Sequence, residues 1–318
     1  MTDGYGRTIE YLRMSVTDAC NLKCSYCTPD GGSSCCNCKN NLSTDELCEI
    51  AEAAAELGVK KLRITGGEPL VRRDVVELAG RLAKIRGIED ISMTTNGTLL
   101  APLARELYDA GIHRINISLD TLDTEKYARI TKGGRLDHAL EGIRAAMDVG
   151  MSPVKLNTVL IGGFNDDEIE ALARLTVEQP VELRFIELMP IGDTHGFGSE
   201  AYLPASAVLE KLPQLVELEG ERHSVARLYR LPEAKGRIGL ISPVSNHFCA
   251  ECNRLRLTAD GCIKPCLHSA DEISLRGLHG DELKEKLLYA VSKKPKMHVE
   301  LSATERSESK RSMNRIGG

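Results

Sequence analysis

The sequence has no tryptophan and few other aromatic residues, and no apolar run approaches the ~18 residues that a membrane-spanning helix requires. It also lacks a basic excess: 41 Lys and Arg stand against 46 Asp and Glu, a formal net charge of −5, which argues against a general nucleic-acid binder. No secretory signal pattern opens the chain. The eleven cysteines are clustered rather than spread, in a 318-residue chain. A disulfide framework belongs to small secreted domains, so reduced thiols and a cytoplasmic location are expected, with no membrane and no nucleic-acid partner.

What is present starts with Cys20-Asn21-Leu22-Lys23-Cys24-Ser25-Tyr26-Cys27, a C-x3-C-x2-C loop following the strand-like run Tyr11 to Val16. Three thiolates on one short loop call for a metal. A structural zinc or an ordinary cubane wants four ligands, and no fourth stands nearby at motif spacing. Three ligands on a four-iron cluster leave one iron open, where the amino acid end of S-adenosylmethionine can bind and its sulfonium receive an electron. The competing reading is a zinc knuckle or spare thiols.

Strand and helix patterns alternate with short connections, as in a parallel α/β architecture. Six strands are predicted: Tyr11–Val16, Lys60–Thr65, Asp90–Thr95, Arg114–Leu119, Val154–Leu160 and Val181–Glu187, each but the last followed by a helical pattern. Ser43 and Glu46 read as a capping box for the first helix, with Leu47, Ile50, Ala54 and Leu57 on one face and Gly58 as the stop. A complete (β/α)8 barrel needs eight units, so six ending near Met189 predict an incomplete, laterally open (β/α)6 TIM-type barrel. A C-terminal extension would close the open side. Residues 1–200 are read as the barrel and 201–318 as a C-terminal domain.

One face of these strands is polar: Arg13 and Ser15, Lys61, Arg63 and Thr65, Ser92 and Thr94, Asn116 and Ser118, Lys155 and Asn157, Glu182 and Arg184. A filled barrel covered by helices would be apolar on both faces, so the lumen is expected to be wet and cationic. Arg114 is expected at solvent, and Lys61 is a second candidate for it. Gly66-Gly67-Glu68-Pro69 follows the second strand, where glycines admit close backbone approach and a carboxylate can accept from an ammonium. The plain alternative is an ordinary Gly-Gly-x-Pro loop.

Beyond Leu203 the unit pattern weakens. Cys249-Ala250-Glu251-Cys252 and Cys266 form a second set of three thiols, and Arg254 and Arg256 lie between them on one face at strand spacing, suited to a phosphate or purine edge. A zinc ribbon with Cys262 as fourth ligand, or an electron-transfer cluster, stays open. The tail from Arg306 to Gly318 is rich in Ser, Glu, Lys and Arg, and by composition reads as a solvated end.

Together LRMSVTDACNLKCSYC, KKLRITGGEPL, TTNG, RINISLD, LRFIELM, the C-x2-C-x13-C set with its R-x-R, and the terminal Gly-Gly resemble the radical S-adenosylmethionine superfamily and, within it, the MoaA-type GTP 3′,8-cyclases. The resemblance runs from Arg13 to Gly318. It implies a lyase of molybdenum cofactor biosynthesis that removes the ribose 3′ hydrogen of GTP and joins that carbon to guanine C8. It implies two [4Fe-4S] clusters, one on Cys20, Cys24 and Cys27 and one on Cys249, Cys252 and Cys266, the second facing the guanine.

Contacts to S-adenosylmethionine are implied for Tyr26, Gly67, Glu68, Ser118 and Met189, and contacts to GTP for Arg13, Arg63, Thr94, Lys155, Arg254 and Arg256. A catalytic role is implied for Arg254, Arg256, Gly317 and Gly318, the side-chain-free end threading into a narrow pocket. Implied partners are an electron donor such as flavodoxin or ferredoxin, a downstream cyclic pyranopterin monophosphate synthase, and a second copy in a homodimer. Cys35, Cys36, Cys38 and Cys262 depart from the family pattern and are read as thiols that ligate neither cluster. A peptide-modifying radical enzyme and a non-catalytic zinc or electron-transfer module are the rival readings. The first would not need the R-x-R or Gly-Gly end, and the second would not need GGEP or a wet barrel.

Overall fold

The computed structural model describes residues 1–28, 40–191, 197–220, 225–302, 305 and 307–317. Cys35, Cys36, Cys38 and Gly318 lie outside the described residues.

The chain runs β1 (Tyr11–Ser15), α1 (Thr44–Glu56), β2 (Lys61–Thr65), α2 (Val75–Leu82), β3 (Asp90–Thr95), α3 (Ala104–Asp109), β4 (Arg114–Ser118), α4 (Thr124–Thr131), α5 (Leu136–Asp148), β5 (Val154–Leu160), α6 (Ile169–Glu178) and β6 (Glu182–Glu187). The six expected strands are present, with ends differing by one residue in four of them. The connection from β4 to β5 holds two helices where one was expected. Lys132 adopts a left-handed φ of 55° and Gly133 one of 111°, which ends α4 before α5 begins.

These six strands pair in parallel with their sequence neighbours. Their apolar positions, among them Leu12, Leu62, Ile64, Met93, Ile115, Ile117, Leu183 and Phe185, are fully buried under the helices. Each such side chain contributes about 1.5–3 kcal/mol by leaving water. Helix α1 starts on the expected capping box: Ser43 Oγ accepts from the Glu46 amide at 3.2 Å and Glu46 Oε2 accepts from the Ser43 amide at 2.8 Å. Its Leu47, Ile50 and Ala54 are buried, and Gly58 turns left-handed (φ 101°) just after its end.

The rest of the chain adds α7 (Ala207–Lys211), β7 (Val216–Glu217), β8 (Arg227–Arg230), β9 (Arg237–Ile241), β10 (Arg254–Leu257), β11 (Cys262–Lys264), β12 (Ile273–Ser274), α8 (Gly280–Ser292) and α9 (Met313–Ile316). These strands join the barrel sheet on both edges. Strand β9 pairs in parallel with β6 and β10 in parallel with β1, giving one sheet in the order β12-β11-β10-β1-β2-β3-β4-β5-β6-β9-β8-β7. The architecture is thus α/β with a parallel, laterally open barrel whose two edges the C-terminal segment extends. Among the described residues no helix is long and apolar enough to cross a membrane.

The tail departs from what its composition suggests. Residues 307–317 include α9, and Ile316 is buried with Ser309 and Ser312. A single apolar side chain seats the segment, so no stripe is visible in the sequence.

Candidate active site

Register places the polar strand positions in rows across the lumen. Arg256 lies beside Arg13, Arg13 beside Arg63, and Arg63 beside Ser92; one step along, Asn116 lies beside Lys155 and Lys155 beside Glu182. Lys61, at the first position of its strand, is exposed and so leaves the expected set of lumen cations. Arg114 pairs with Asp90 at the rim and stays partly exposed.

The remaining cations crowd one another. Burial, and then Arg256 and Arg63, hold Arg13 well below the usual guanidinium range. Burial and Arg254 lower Arg256 to about 10, and burial and Arg184 lower Lys155 to about 8. Glu182 offsets part of this charge: Lys155 Nζ is 3.2 Å away, Arg237 Nε 2.7 Å, and Arg184 Nε also donates to it. Against the raising effect of burial, Arg184, Lys155 and Arg237 hold Glu182 at about 2. Buried cations in this number need an anion, since two unit charges 4 Å apart interact by about 4 kcal/mol at an effective dielectric of 20. Thr94 Oγ and Asn157 Oδ1 are buried without a hydrogen-bond partner among the described residues, as groups awaiting a polar ligand are.

The first cysteine loop caps the C-terminal ends of β1 to β4. Cys20, Cys24 and Cys27 are free thiols of intermediate exposure. Cys20 Sγ receives the Leu22 amide at 3.4 Å and the Asn96 Nδ2 at 4.0 Å. The three sulfurs are close enough to perturb one another: Cys24 is raised by burial, then by Cys27, and Cys27 rises to about 12 through burial and then Cys20.

Gly67 lies under this loop, its amide donating to Thr17 O at 2.8 Å; a Cβ there would sit 2.4 Å from Ala19 O, so only glycine fits. Glu68 is fully buried and faces inward. Its oxygens accept from the Leu70 amide at 3.0 Å, Thr95 Oγ1 at 2.7 Å and the Asn96 amide at 2.7 Å, while burial lifts its carboxyl to about 7. Tyr26 donates to Asp120 Oδ2 at 2.7 Å, and Asp120 Oδ1 accepts from the Val159 amide at 2.9 Å. Ser118 ends β4 and Met189 follows β6, both half-buried.

The second set sits across the lumen. Cys249, Cys252 and Cys266 are free and half-buried. Lys294, 3% exposed, donates to Arg254 O and Pro265 O at 2.8 Å each and points Nζ at Cys252 Sγ, 3.6 Å away. Arg7 anchors the loop from the N-terminus, donating to Cys249 O at 2.7 Å. Burial alone would raise Cys252, but Arg254 and Lys294 bring it to about 6.

Among the described residues no group of three or more His, Cys, Asp or Glu is gathered to hold a single metal ion. Both loops nevertheless fit a four-iron cluster by donor chemistry: three soft thiol ligands each, with hydrogen-bond donors turned toward sulfur.

The tail enters the lumen between β1, β2 and β10: Gly317 O accepts from Arg256 Nη1 at 2.7 Å. A Cβ on Gly317 would lie 2.3 Å from Thr65 Oγ1 and 3.1 Å from Ser15 Cβ. A side chain at position 317 would therefore collide with its surroundings.

Sequence reasoning gives Arg184, Asn157 and Glu182 only as lumen residues and passes over Asp120 and Lys294. Strand parity could have promoted the first three. Lys294 follows α8 in an unremarkable Lys-Lys-Pro run, and nothing local marks it.

Two family models match the chain: the radical SAM superfamily over residues 14–176 and molybdenum cofactor synthesis C over residues 181–300. The GTP 3′,8-cyclase of Alkaliphilus oremlandii is 46% identical over 321 residues, covering all of both chains. That of Peptoclostridium acidaminophilum is 49% identical over 322 residues, covering all of this chain and 98% of its own. Among solved structures, Streptococcus suis SuiB bound to S-adenosylmethionine superposes with a TM-score of 0.61 at 16% identity, over 91% of this chain and 65% of that one. A polyhistidine-tagged anSMEcpe with bound AdoMet gives 0.60 at 14% identity, over 91% and 78%. At these identities the two structures speak for the fold alone.

Proposed function

This chain belongs to the radical SAM superfamily and, within it, to the GTP 3′,8-cyclase family, and from that membership we propose which of its residues carry the reaction. The activity is the conversion of GTP to (8S)-3′,8-cyclo-7,8-dihydroguanosine 5′-triphosphate, a lyase step of molybdenum cofactor biosynthesis. Its cofactors are two [4Fe-4S] clusters and S-adenosylmethionine. Relatives related over their full length leave no ground for the peptide-modifying or zinc-module alternatives.

Cys20, Cys24 and Cys27 would hold the first cluster, and Cys249, Cys252 and Cys266 the second. When bound, the first cluster and S-adenosylmethionine supply the carbon-radical chemistry that removes the ribose 3′ hydrogen and lets that carbon bond to guanine C8. Tyr26, Gly67, Ser118 and Met189 line the cofactor side. Glu68 acts from behind, fixing the GGEP loop through its three accepted hydrogen bonds. Arg13, Arg63, Thr94 and Lys155, with Arg184, receive the triphosphate and ribose, while Arg254 and Arg256 orient the nucleotide beside the second cluster. Gly317 and Gly318 complete the pocket, where a side chain would collide with Thr65 and Ser15.

Residues 1–200 act as the barrel and 201–318 as the C-terminal domain, within one sheet. A flavodoxin or ferredoxin serves as electron donor, a cyclic pyranopterin monophosphate synthase takes the product, and the enzyme works in the cytoplasm as a homodimer.

The observation that carries this assignment is the row of arginines that strand register lines up, Arg256 beside Arg13 and Arg13 beside Arg63, with Arg254 two positions before Arg256 on β10. The test is anaerobic reconstitution with iron and sulfide, followed by reductant, S-adenosylmethionine and GTP. Cyclised product should form, and Arg254→Ala or Arg256→Ala should each weaken GTP binding by about 1.5–3 kcal/mol without loss of iron. Unchanged GTP affinity in both variants would remove the assigned substrate site.

A further inference from the structure

The C-terminal tail is fastened at a point that neither cluster nor substrate explains. Arg311 stands six positions before Gly317. It donates Nε to Glu272 at 2.7 and 2.9 Å, Nη2 to Glu272 Oε2 at 2.7 Å, and Nη1 to Asp260 Oδ1 and Oδ2 at 2.9 and 3.0 Å. All the guanidinium nitrogens are engaged, and the side chain is 15% exposed. Bidentate pairing of this kind fixes orientation as well as distance.

Both receiving carboxylates are themselves held. Thr258 Oγ1 donates to Asp260 at 2.6 Å, and the fully buried Lys264 donates to Glu272 at 3.2 Å. Asp260 lies in the turn between β10 and β11, and Glu272 directly precedes β12. The clamp therefore ties the tail to the hairpin whose first strand presents Arg254 and Arg256. Downstream of it, Gly317 O accepts from Arg256 Nη1 at 2.7 Å, and Gly317 packs against Thr65 and Ser15 at the ends of β2 and β1. Since one Cβ at Gly317 would overlap Thr65, an inward slip of one residue would drive the Ile316 side chain into that wall.

We propose that Arg311 is a positioning residue for cyclisation: its clamp on Asp260 and Glu272 sets the register at which the Gly-Gly end enters the lumen. It thereby couples radical generation at the first cysteine loop to ring closure beside the second. The proposal rests on the reading of the Gly-Gly end as part of the active site, and the experiment separates the two.

Four variants are compared: Arg311→Ala, Arg311→Lys, the charge-exchanged pair Arg311→Glu with Glu272→Arg, and a chain lacking Gly317 and Gly318. Two quantities are read: hydrogen exchange of the 307–317 peptide in the cluster-free chain, and cyclised product formed per S-adenosylmethionine cleaved in the loaded enzyme. Arg311→Ala should keep the iron of both clusters, speed exchange of the tail peptide, and lower product per cleavage by on the order of tenfold, the scale of losing a strong charged hydrogen-bond pair. Arg311→Lys should recover part of the coupling, whereas the exchanged pair should recover none, since its carboxylate would face Asp260 and its guanidinium the buried Lys264. A purely structural role would lower protein yield and both reactions together, leaving their ratio unchanged.

Wild-type tail exchange or wild-type coupling in Arg311→Ala would overturn the clamp, while a collapsed product in the truncated chain would still uphold the Gly-Gly reading. Full product from the truncated chain would overturn both. If Arg311→Ala fails to fold, the lysine variant decides by the same ratio.

Discussion

The two cysteine loops offer the same number of thiols in opposite electrostatic settings. At the first, burial raises Cys24 and Cys27, and Asp120 adds to the effect beside Tyr26. At the second, Arg254 and Lys294 outweigh burial and leave Cys252 at about 6. The difference divides the two settings by charge: a cation is favoured beside the loop next to Asp120, and an anionic ligand on the side of Arg254 and Arg256. One lumen thus accepts a cation at one end and an anion at the other.

The largest test of this division removes one loop at a time. Cys24→Ala should abolish both cleavage of S-adenosylmethionine and product, whereas Cys252→Ala should lose product yet keep cleavage detectable. Each variant should retain about four of about eight irons. Iron analysis with chromatography of 5′-deoxyadenosine and cyclised nucleotide reads the outcome. Loss of cleavage in Cys252→Ala with the first cluster intact would show that the two ends do not divide the chemistry.

A smaller effect is expected in the cluster-free chain. The thiolate is the species that alkylates, so a group at about 6 is ionised at pH 7 and loses reactivity only as pH falls through 6; one at about 12 stays protonated until strongly alkaline pH. Low-pKa thiolates are weaker nucleophiles, which trims the contrast without reversing it. Iodoacetamide at pH 7 should therefore label Cys252 roughly a hundredfold or more faster than Cys27, as followed by peptide mass spectrometry. Arg254→Ala should narrow the gap. Equal labelling of the two cysteines would contradict the electrostatic contrast.

Much of the barrel and its lumen face was legible in the sequence because it is local. Each barrel strand is a run of five to seven residues, so the alternation of Arg13 with Leu12 and Met14, or of Arg63 with Leu62 and Ile64, exposes both strand and lumen face. Cysteine spacing is local too. What stayed hidden depends on distant pairings. Strands β9 and β10 are four or five residues long, and only their parallel partners β6 and β1 reveal that both barrel edges are extended. Arg7 reaches Cys249 O across 242 positions, and Arg311 reaches Asp260 across 51. Glu68 shows the same limit at one residue. Its position in GGEP was readable, but the inward turn of its carboxylate depends on Thr95 and Asn96 from another strand end.

The smallest expected effect belongs to Cys262, and it bears on whether the second loop is open at all. Cys262 begins β11, pairs with Ser274, and takes its amide hydrogen bond to Thr258 Oγ1 at 2.9 Å. Burial and then Asp260 raise its thiol, so at neutral pH it carries a proton that a ligand would have to lose. Cys252 already sits among the cations that favour its thiolate. Cys262→Ala should therefore keep both clusters and the rate of product formation, with a stability change within about 1 kcal/mol for a half-buried position. Electron paramagnetic resonance of the reduced protein checks it. Disappearance of the second cluster's signal on that substitution would mean a closed four-thiolate site, and the substrate-facing role of the cationic end would have to be given up.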